Sequence, residues 1–202
     1  MNTSVDMAGR AKTLKAATAA AHERLDGRIM AAAPFADRER YGRFLQVQHG
    51  FHRDIDALYD EPALAALLPD IATRRRLPQI EADLADLGVA VPAAEAAPRF
   101  AADADLPTAL GWLYVAEGSN LGAAFLIKDA AKIGLSEGFG ARHLAGAPEG
   151  RGLHWRTFTA ALDAAPLSPD EEARVVAGAR AAFARVQQLV ETLMPLPAES
   201  AN

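Results

Sequence analysis

His22 is the first residue whose surroundings suggest chemistry. It lies in the segment Leu14–Asp26, in which residues 19–21 are all alanine, and small side chains beside an imidazole leave space for a flat molecule. A neutral imidazole is also a common ligand of transition metals. A histidine that is hydrogen-bonded in the core or at its boundary would fit the same segment. The segment alone leaves a ligand and a structural residue as alternatives.

Gly118 and Gly122 form the second unusual pattern. They are four residues apart, so in a helix they share one face, although each glycine costs about 0.5–1 kcal/mol relative to alanine. Ser119 and Asn120 lie between them, and their side chains can bond carbonyls of the preceding turn and let the helix kink. The pair predicts either a bare helix face over a flat ligand or a tight contact with another helix.

The other histidines and a short basic run carry weaker signals. His49 and His52 are three residues apart, a spacing found in metal sites, but no acidic residue on the same helix completes a known pattern. His143 and His154 lie in or beside a glycine-rich stretch, and we expect them at the surface. Residues 74–76 are three arginines, which in an acidic protein we interpret as a solvated helix turn.

Composition excludes several classes of protein. The 202 residues suit one domain, the formal net charge of -5 gives no basic footprint for nucleic acid, and no apolar run approaches the ~18–20 residues that span a bilayer. The chain has no cysteine, which excludes disulfides, thiol nucleophiles and Cys-ligated iron–sulfur clusters. The first residues lack the basic-then-apolar order of a signal peptide, so we expect a cytoplasmic protein.

Helical periodicity runs through most of the chain and predicts an all-α fold. Alanine, the best helix former, supplies much of the apolar content, and no segment alternates with period two for long enough to demand a strand. We predict a single domain over residues 1–202, with a core of about 8–194 and seven or eight helices. The predicted helices are 8–32, 37–59, 61–68, 70–87 with a bend or break at Pro78, 106–133, 151–164, and a last helix that is capped by Ser168 and stops before Pro195; residues 90–105 are a surface connection.

Two segments together resemble heme oxygenases. The segment that resembles the proximal helix of that family is Leu14-Lys15-x-x-Thr18-x-x-x-His22. The segment that resembles the distal helix of its bacterial, biliverdin-producing branch is Tyr114-x-x-Glu117-Gly118-Ser119-Asn120-Leu121-Gly122. Their separation is similar to that in the family, and a looser similarity covers most of the chain.

The resemblance implies that heme lies between the proximal and distal helices and is both cofactor and substrate. His22 is then the axial ligand of the heme iron. Gly118, Ser119, Asn120 and Gly122 form the distal side, where backbone and ordered water meet oxygen. The implied reaction uses O2 and electrons from an external reductase or ferredoxin to cleave heme to biliverdin, carbon monoxide and ferrous iron.

The family pattern also assigns Lys15 and Tyr114 to the heme propionates, with Arg180 on the last helix as a further candidate. Lys15 lies seven residues before His22, which is two helical turns along the same face. Ala123 departs from the pattern of many relatives, which have a second glycine at that place. Its methyl group would narrow the distal pocket.

Two other functions stay open at the level of sequence. One is a heme-binding carrier or sensor that keeps the pocket without turnover, and the other is a related fold with a changed substrate, as in the thiaminase-related and di-iron branches of the superfamily. A di-iron site needs several inward Glu and His residues, and Glu117 is the only carboxylate of the apolar segment between Leu106 and Lys128, which argues against it. For the enzyme, a bacteriophytochrome is an expected recipient of biliverdin; nucleic acid and membrane are not expected partners.

Overall fold

The computed structural model describes residues 9–93, 97–101 and 103–196. The α-helices of these ranges are α1 (Arg10–Ala31), α2 (Arg38–Ile55), α3 (Pro62–Leu67), α4 (Leu77–Asp86), α5 (Leu106–Lys132), α6 (Arg151–Ala164) and α7 (Pro169–Leu193). Short 3-10 helices span Asp56–Asp60, Ile71–Arg74 and Arg142–Leu144, and the same ranges contain isolated bridges but no strand. The all-α prediction is confirmed, and the predicted helix start at residue 8 lies outside the described residues. Within the described ranges, no helix combines the length and the apolar character needed to cross a membrane.

Polar side chains set the starts of several helices. Asp37 and Asp105 each accept a hydrogen bond from the backbone N–H three residues later, at the N-caps of α2 and α5. Ser168 and Glu171 bond each other's backbone at the start of α7, where Pro169 occupies the first turn. Because these side chains satisfy N–H groups that have no partner inside the helix, the sequence itself positions the helix ends.

The helix predicted over residues 70–87 is divided. Ile71–Arg74 is a 3-10 turn, and α4 begins only at Leu77, so Pro78 lies in the first turn of α4 rather than at a bend inside a longer helix. Proline is tolerated there because its missing N–H would have no helical partner in any case. The second predicted helix also ends early, at Ile55, and continues as a 3-10 turn.

α7 is the shared packing partner of the two helices that carry the motifs. α5 packs most extensively on α7, and α1 packs on α7 and α6, whereas α1 and α5 have little contact with each other in the described residues. Gly111 and Gly178 let α5 and α7 cross at close range: a Cβ on Gly111 would overlap the Val175 carbonyl oxygen, and one on Gly178 would overlap the Thr108 carbonyl oxygen. α7 thus supports both motif helices without packing them against each other.

Candidate active site

His22 lies on the exposed side of α1. Its side chain is 63% exposed, and Nδ1 lies 3.1 Å from the carboxylate of Asp26, one helical turn later. The ring of Phe183 on α7 meets it edge-on, with the ring centroids 6.0 Å apart. A carboxylate beside Nδ1 favours the tautomer that carries its proton there, which leaves the lone pair of Nε2 free for a metal. The exposure of His22 removes the interpretation as a buried core histidine, and the sequence analysis did not identify Asp26 as its partner.

Gly118 and Gly122 present open helix surface. A Cβ on Gly122 would have no atom within 4 Å, and one on Gly118 would meet only the ring of Trp155, at 3.7 Å. The tight helix contact that the sequence left as an alternative is therefore not made here; it is made at Gly111, against α7. The backbone of α5 at Gly122 has room for a flat molecule.

Three further side chains share this face of α5, one turn from the glycines. Leu121 and Phe125 are large apolar residues that are 39% and 71% exposed. Tyr114 is nearly buried, and its ring centroid lies 5.7 Å from that of Trp155. Burial raises the pKa of Tyr114, so its hydroxyl stays protonated and can donate a hydrogen bond. An exposed apolar face with a hydroxyl donor at its edge fits a flat apolar molecule that carries acidic groups.

Lys15 and Arg180 are exposed cations beside α1. Lys15 makes no hydrogen bond or ion pair with the described residues, and Arg180 on α7 donates from Nε to the carbonyl oxygen of Ala17 at 3.4 Å. His22 contacts Phe183 of α7, and Arg180 of α7 contacts Ala17 of α1. Tyr114 and Gly118 both lie beside Trp155 of α6. Among the described residues, no hydrogen bond, ion pair or ring contact joins the α1 group to the α5 group.

A pocket of about 320 Å³, which includes space open to solvent, adjoins this face of α5. Its polar lining consists of Gln48, His52, Arg76, Ser119, Asn120 and His143. The hydroxyl of Ser119 donates to the Ala116 carbonyl at 2.7 Å, as the sequence predicted, and the carbonyl of Asn120 accepts from Arg151 at 2.9 Å. Ala123 is buried in the wall of this pocket, so its methyl group narrows the pocket rather than the open glycine face.

The sequence analysis missed His52 and His143 as residues of this pocket. His143 is only 4% exposed and His154 only 8%, so the prediction of surface positions for both is wrong. Burial, followed by the charge of Arg76 and by His143, lowers the pKa of His52 to about 3, so that this ring is neutral at physiological pH. The described residues contain no group of three side chains that could hold a metal ion, which leaves the spacing of His49 and His52 without a metal site.

The three consecutive arginines are not a solvated turn. Arg74 is buried, and its guanidinium pairs with Glu117 at 2.8 Å and with Asp70 at 2.7 Å. Arg75 binds carboxylates of the first 3-10 helix, and Arg76 binds backbone carbonyls at the third. The partner of Arg74 directly precedes Gly118, so this ion pair fixes α5 beside its open face.

Comparison with known proteins identifies the family. Residues 8–192 match the family model described as Heme oxygenase. The chain is 45% identical to the heme oxygenase PigA of Pseudomonas aeruginosa over 182 residues, which are 90% of this chain and 91% of that protein. The chain belongs to the heme oxygenase family. This heme oxygenase also matches the crystal structure of the NO- and CO-bound heme oxygenase from Neisseria meningitidis, with a TM-score of 0.87 and 40% identity over 95% of each chain.

Family membership confirms the resemblance and the class of reaction. Heme oxygenases are oxidoreductases for which heme is the substrate, cleaved with O2 and external electrons to biliverdin, carbon monoxide and ferrous iron. The comparisons support this enzyme and give no support to a non-catalytic carrier or sensor. They do not assign roles to the individual site residues.

Proposed function

We propose that this heme oxygenase binds heme against the glycine face of α5, with His22 of α1 as the axial iron ligand. The open space over Gly122 carries the proposal. Gly122 lies inside the long helix α5, and a Cβ at this position would have no protein atom within 4 Å. Packing within the protein therefore does not explain the glycine. Because a glycine inside a helix is unfavourable, a ligand lying against the backbone is the physical reason for keeping it.

His22 and Asp26 would act together in holding the iron. The carboxylate of Asp26 can accept a hydrogen bond from Nδ1–H of His22, which would leave Nε2 as the neutral ligand of the iron. Bound heme supplies both the iron that activates O2 and the carbon skeleton that is cleaved. Gly118 and Gly122 keep side chains off the opposite side, and Ser119 and Asn120 lie where that side meets the polar pocket, so they can hold ordered water there.

Lys15, Tyr114 and Arg180 are the proposed partners of the heme propionates. Lys15 is an exposed ammonium group without a partner in the described residues, and Tyr114 offers a protonated hydroxyl at the edge of the apolar face. Arg180 lies beside α1, held by its bond to Ala17. Charge-assisted hydrogen bonds to two carboxylates would select one in-plane orientation of heme.

The proposal includes an external electron donor. The chain has no cysteine for an iron–sulfur cluster of its own, so a reductase or a ferredoxin is the expected source of electrons. We also propose a cytoplasmic location and a bacteriophytochrome as a recipient of the biliverdin formed.

The test combines one substitution with two measurements. We expect wild-type protein to bind one hemin per chain with a histidine-ligated spectrum. After anaerobic loading, addition of an electron donor and air should remove the Soret band and form biliverdin. His22→Ala should lose both properties while keeping its helical circular dichroism, because His22 is exposed and supports no core. Added imidazole should restore part of the spectrum.

Asp26→Asn is the matched control, because it keeps the imidazole and changes only its partner. This variant should retain histidine ligation. An unchanged spectrum in His22→Ala would assign the iron ligand elsewhere, with His52 as the first residue to test.

A further inference from the structure

Asp83 on α4 is fully buried and binds the segment around His143 through both carboxylate oxygens. One oxygen accepts from the backbone N–H of His143 at 3.0 Å and from its Nδ1 at 2.8 Å. The other accepts from the backbone N–H of Arg142 at 2.9 Å and from its guanidinium at 3.1 Å. Every group that faces this carboxylate is therefore a donor, and Nδ1 of His143 must carry a proton to join them.

The opposite edge of the His143 ring has no such partner. Nε2 is buried and makes no hydrogen bond with the described residues, and the side chain lines the pocket beside Ser119 and Asn120. Burial lowers the pKa of His143, against an opposing effect of Asp83, so the ring is neutral. A neutral imidazole that carries its proton on Nδ1 has a lone pair on Nε2, and a buried acceptor of this kind requires a donor.

We propose that Asp83 is a positioning residue for heme cleavage: it holds His143 as the Nδ1–H tautomer, so that Nε2 accepts a hydrogen bond from water in the pocket beside Ser119. The assignment of this pocket to the distal side of heme rests on the function proposed above, whereas the tautomer itself does not. Heme cleavage reduces O2 and consumes protons, so ordered water beside the distal helix provides a path for them.

The neighbouring groups agree with an ordered water at this place. The hydroxyl of Ser119 donates its hydrogen bond to the Ala116 carbonyl, so the lone pairs of Oγ can accept a hydrogen bond from water in the pocket. Nδ1 of His52 is a second buried atom without a partner in the described residues, and that side chain lines the same pocket. Water with two protons and two lone pairs can join such groups at little entropic cost.

Substitution of Asp83 by asparagine separates this role from a merely structural one. An amide presents one donor group, its NH2, which must face either the Arg142 side or the His143 side. On the Arg142 side both groups are fixed donors, whereas on the His143 side only the backbone N–H is fixed, because Nδ1 can change from donor to acceptor by moving the ring proton to Nε2. Asp83→Asn is therefore expected to invert the tautomer, and Nε2 would then donate to the pocket instead of accepting from it.

The experiment reads the tautomer directly, in apoprotein with ¹⁵N-labelled histidine, by long-range ¹H–¹⁵N correlation. The chain has five histidines, and the His143→Gln spectrum identifies the signals of interest. Wild type should show a protonated Nδ1 and a bare Nε2 on His143, and Asp83→Asn the reverse. Asp86→Asn is the matched control, because Asp86 binds Arg142 and the Gly140 N–H in the same segment without touching His143.

The rate of heme cleavage should depend on the tautomer of His143. We expect Asp83→Asn to lower kcat for biliverdin formation on the order of 10²-fold, the lower end for a positioned proton-transfer group, with little change in the KM for heme. Asp86→Asn should stay near the wild-type kcat, and in a His143→Gln background Asp83→Asn should add no further loss.

A wild-type His143 that carries its proton on Nε2 overturns the proposal, whether or not any variant folds. So does a tautomer inverted by Asp83→Asn without a change in kcat. Because the tautomer is read without heme, a failure of the His22 assignment leaves this measurement intact, and the two proposals fail separately.

Discussion

The guanidinium of Arg74 donates a hydrogen bond to the carboxylate of Glu117 at 2.8 Å, and both side chains are almost completely removed from solvent. Nε2 of His154 lies 3.4 Å from the same carboxylate. The cluster ties α5 to the second 3-10 helix and to α6, one residue before Gly118. Because charges removed from water are costly unless they are paired, each member depends on the others.

Loss of one partner should destabilise the apoprotein strongly. Arg74→Met should lower the free energy of unfolding by about 3–5 kcal/mol, since Glu117 is left as a buried charge. The double variant Arg74→Met/Glu117→Met should recover part of that loss. Urea unfolding measures both values, and a double-mutant cycle gives the coupling between the two residues.

The pair of Lys132 and Asp129 is the surface control for this prediction. Nζ of Lys132 lies 2.6 Å from Oδ1 of Asp129, but the lysine side chain is 74% exposed. Asp129→Asn should therefore change the free energy of unfolding by less than about 0.5 kcal/mol. Equal effects at the buried and the exposed pair would contradict the importance that we assign to burial.

His154 should make stability depend on pH. The hydrogen bond to Glu117, opposed by burial and assisted by Glu149, raises the pKa of His154 in the folded protein. The folded state therefore holds a proton that the unfolded state loses near pH ~6.5, so this stabilisation is complete below that pH and disappears as pH rises through the folded pKa. The free-energy difference between wild type and His154→Gln should thus be largest near pH ~6 and smaller near pH ~8. A difference that does not change over this range would mean that His154 is not charged in the cluster.

Sequence reasoning succeeded where the determinants are local. The caps at Asp37 and Ser168 act within one helical turn, so the sequence pattern alone predicts them. The spacing of the glycines on α5 likewise indicates an open or closely packed helix face. Only the structure distinguishes the two cases: Gly122 has open space beside it, whereas Gly111 packs on α7.

Sequence reasoning failed where partners are distant along the chain. His143 looked like a loop residue, because the carboxylate that stabilises it in the interior belongs to Asp83, 60 residues earlier. Arg74 looked solvated because Glu117 lies 43 residues later. A buried polar side chain is stable only with its partner, and no local pattern reveals a partner in another helix.

Lys15 should influence which meso carbon of heme is cleaved more than the rate of cleavage. If it pairs with a propionate, the contact contributes about 0.5–1 kcal/mol at this exposed position, roughly a two- to fivefold preference between two orientations. Lys15→Ala should therefore change the ratio of biliverdin isomers, measured by chromatography of the product, and the change should diminish at high salt. Lys12 is an exposed lysine one helical turn further from His22 along α1, so Lys12→Ala should change the ratio much less. An unaltered ratio in both variants would assign the propionates to other residues.

Gly122 and Gly111 should respond in opposite ways to added side chains. No protein atom lies near a Cβ at Gly122, and leucine suits a helix better than glycine by up to ~1 kcal/mol, so Gly122→Leu should keep or raise the melting temperature of the apoprotein. The same side chain would occupy the place proposed for heme, so hemin affinity and biliverdin formation should fall.

Gly111→Ala should instead lower stability by about 1–3 kcal/mol, because its Cβ would overlap the backbone of α7, which cannot move aside without separating the two helices. Its folded fraction should still bind hemin, since Gly111 lies two turns before Gly118, in the part of α5 that α7 already covers. Thermal unfolding of the apoproteins, set beside hemin titration and the rate of heme loss under reductant and air, compares the two positions. An unstable Gly122→Leu apoprotein whose folded fraction turns over normally would show that Gly122 serves packing, and the distal face would then have to lie elsewhere on α5.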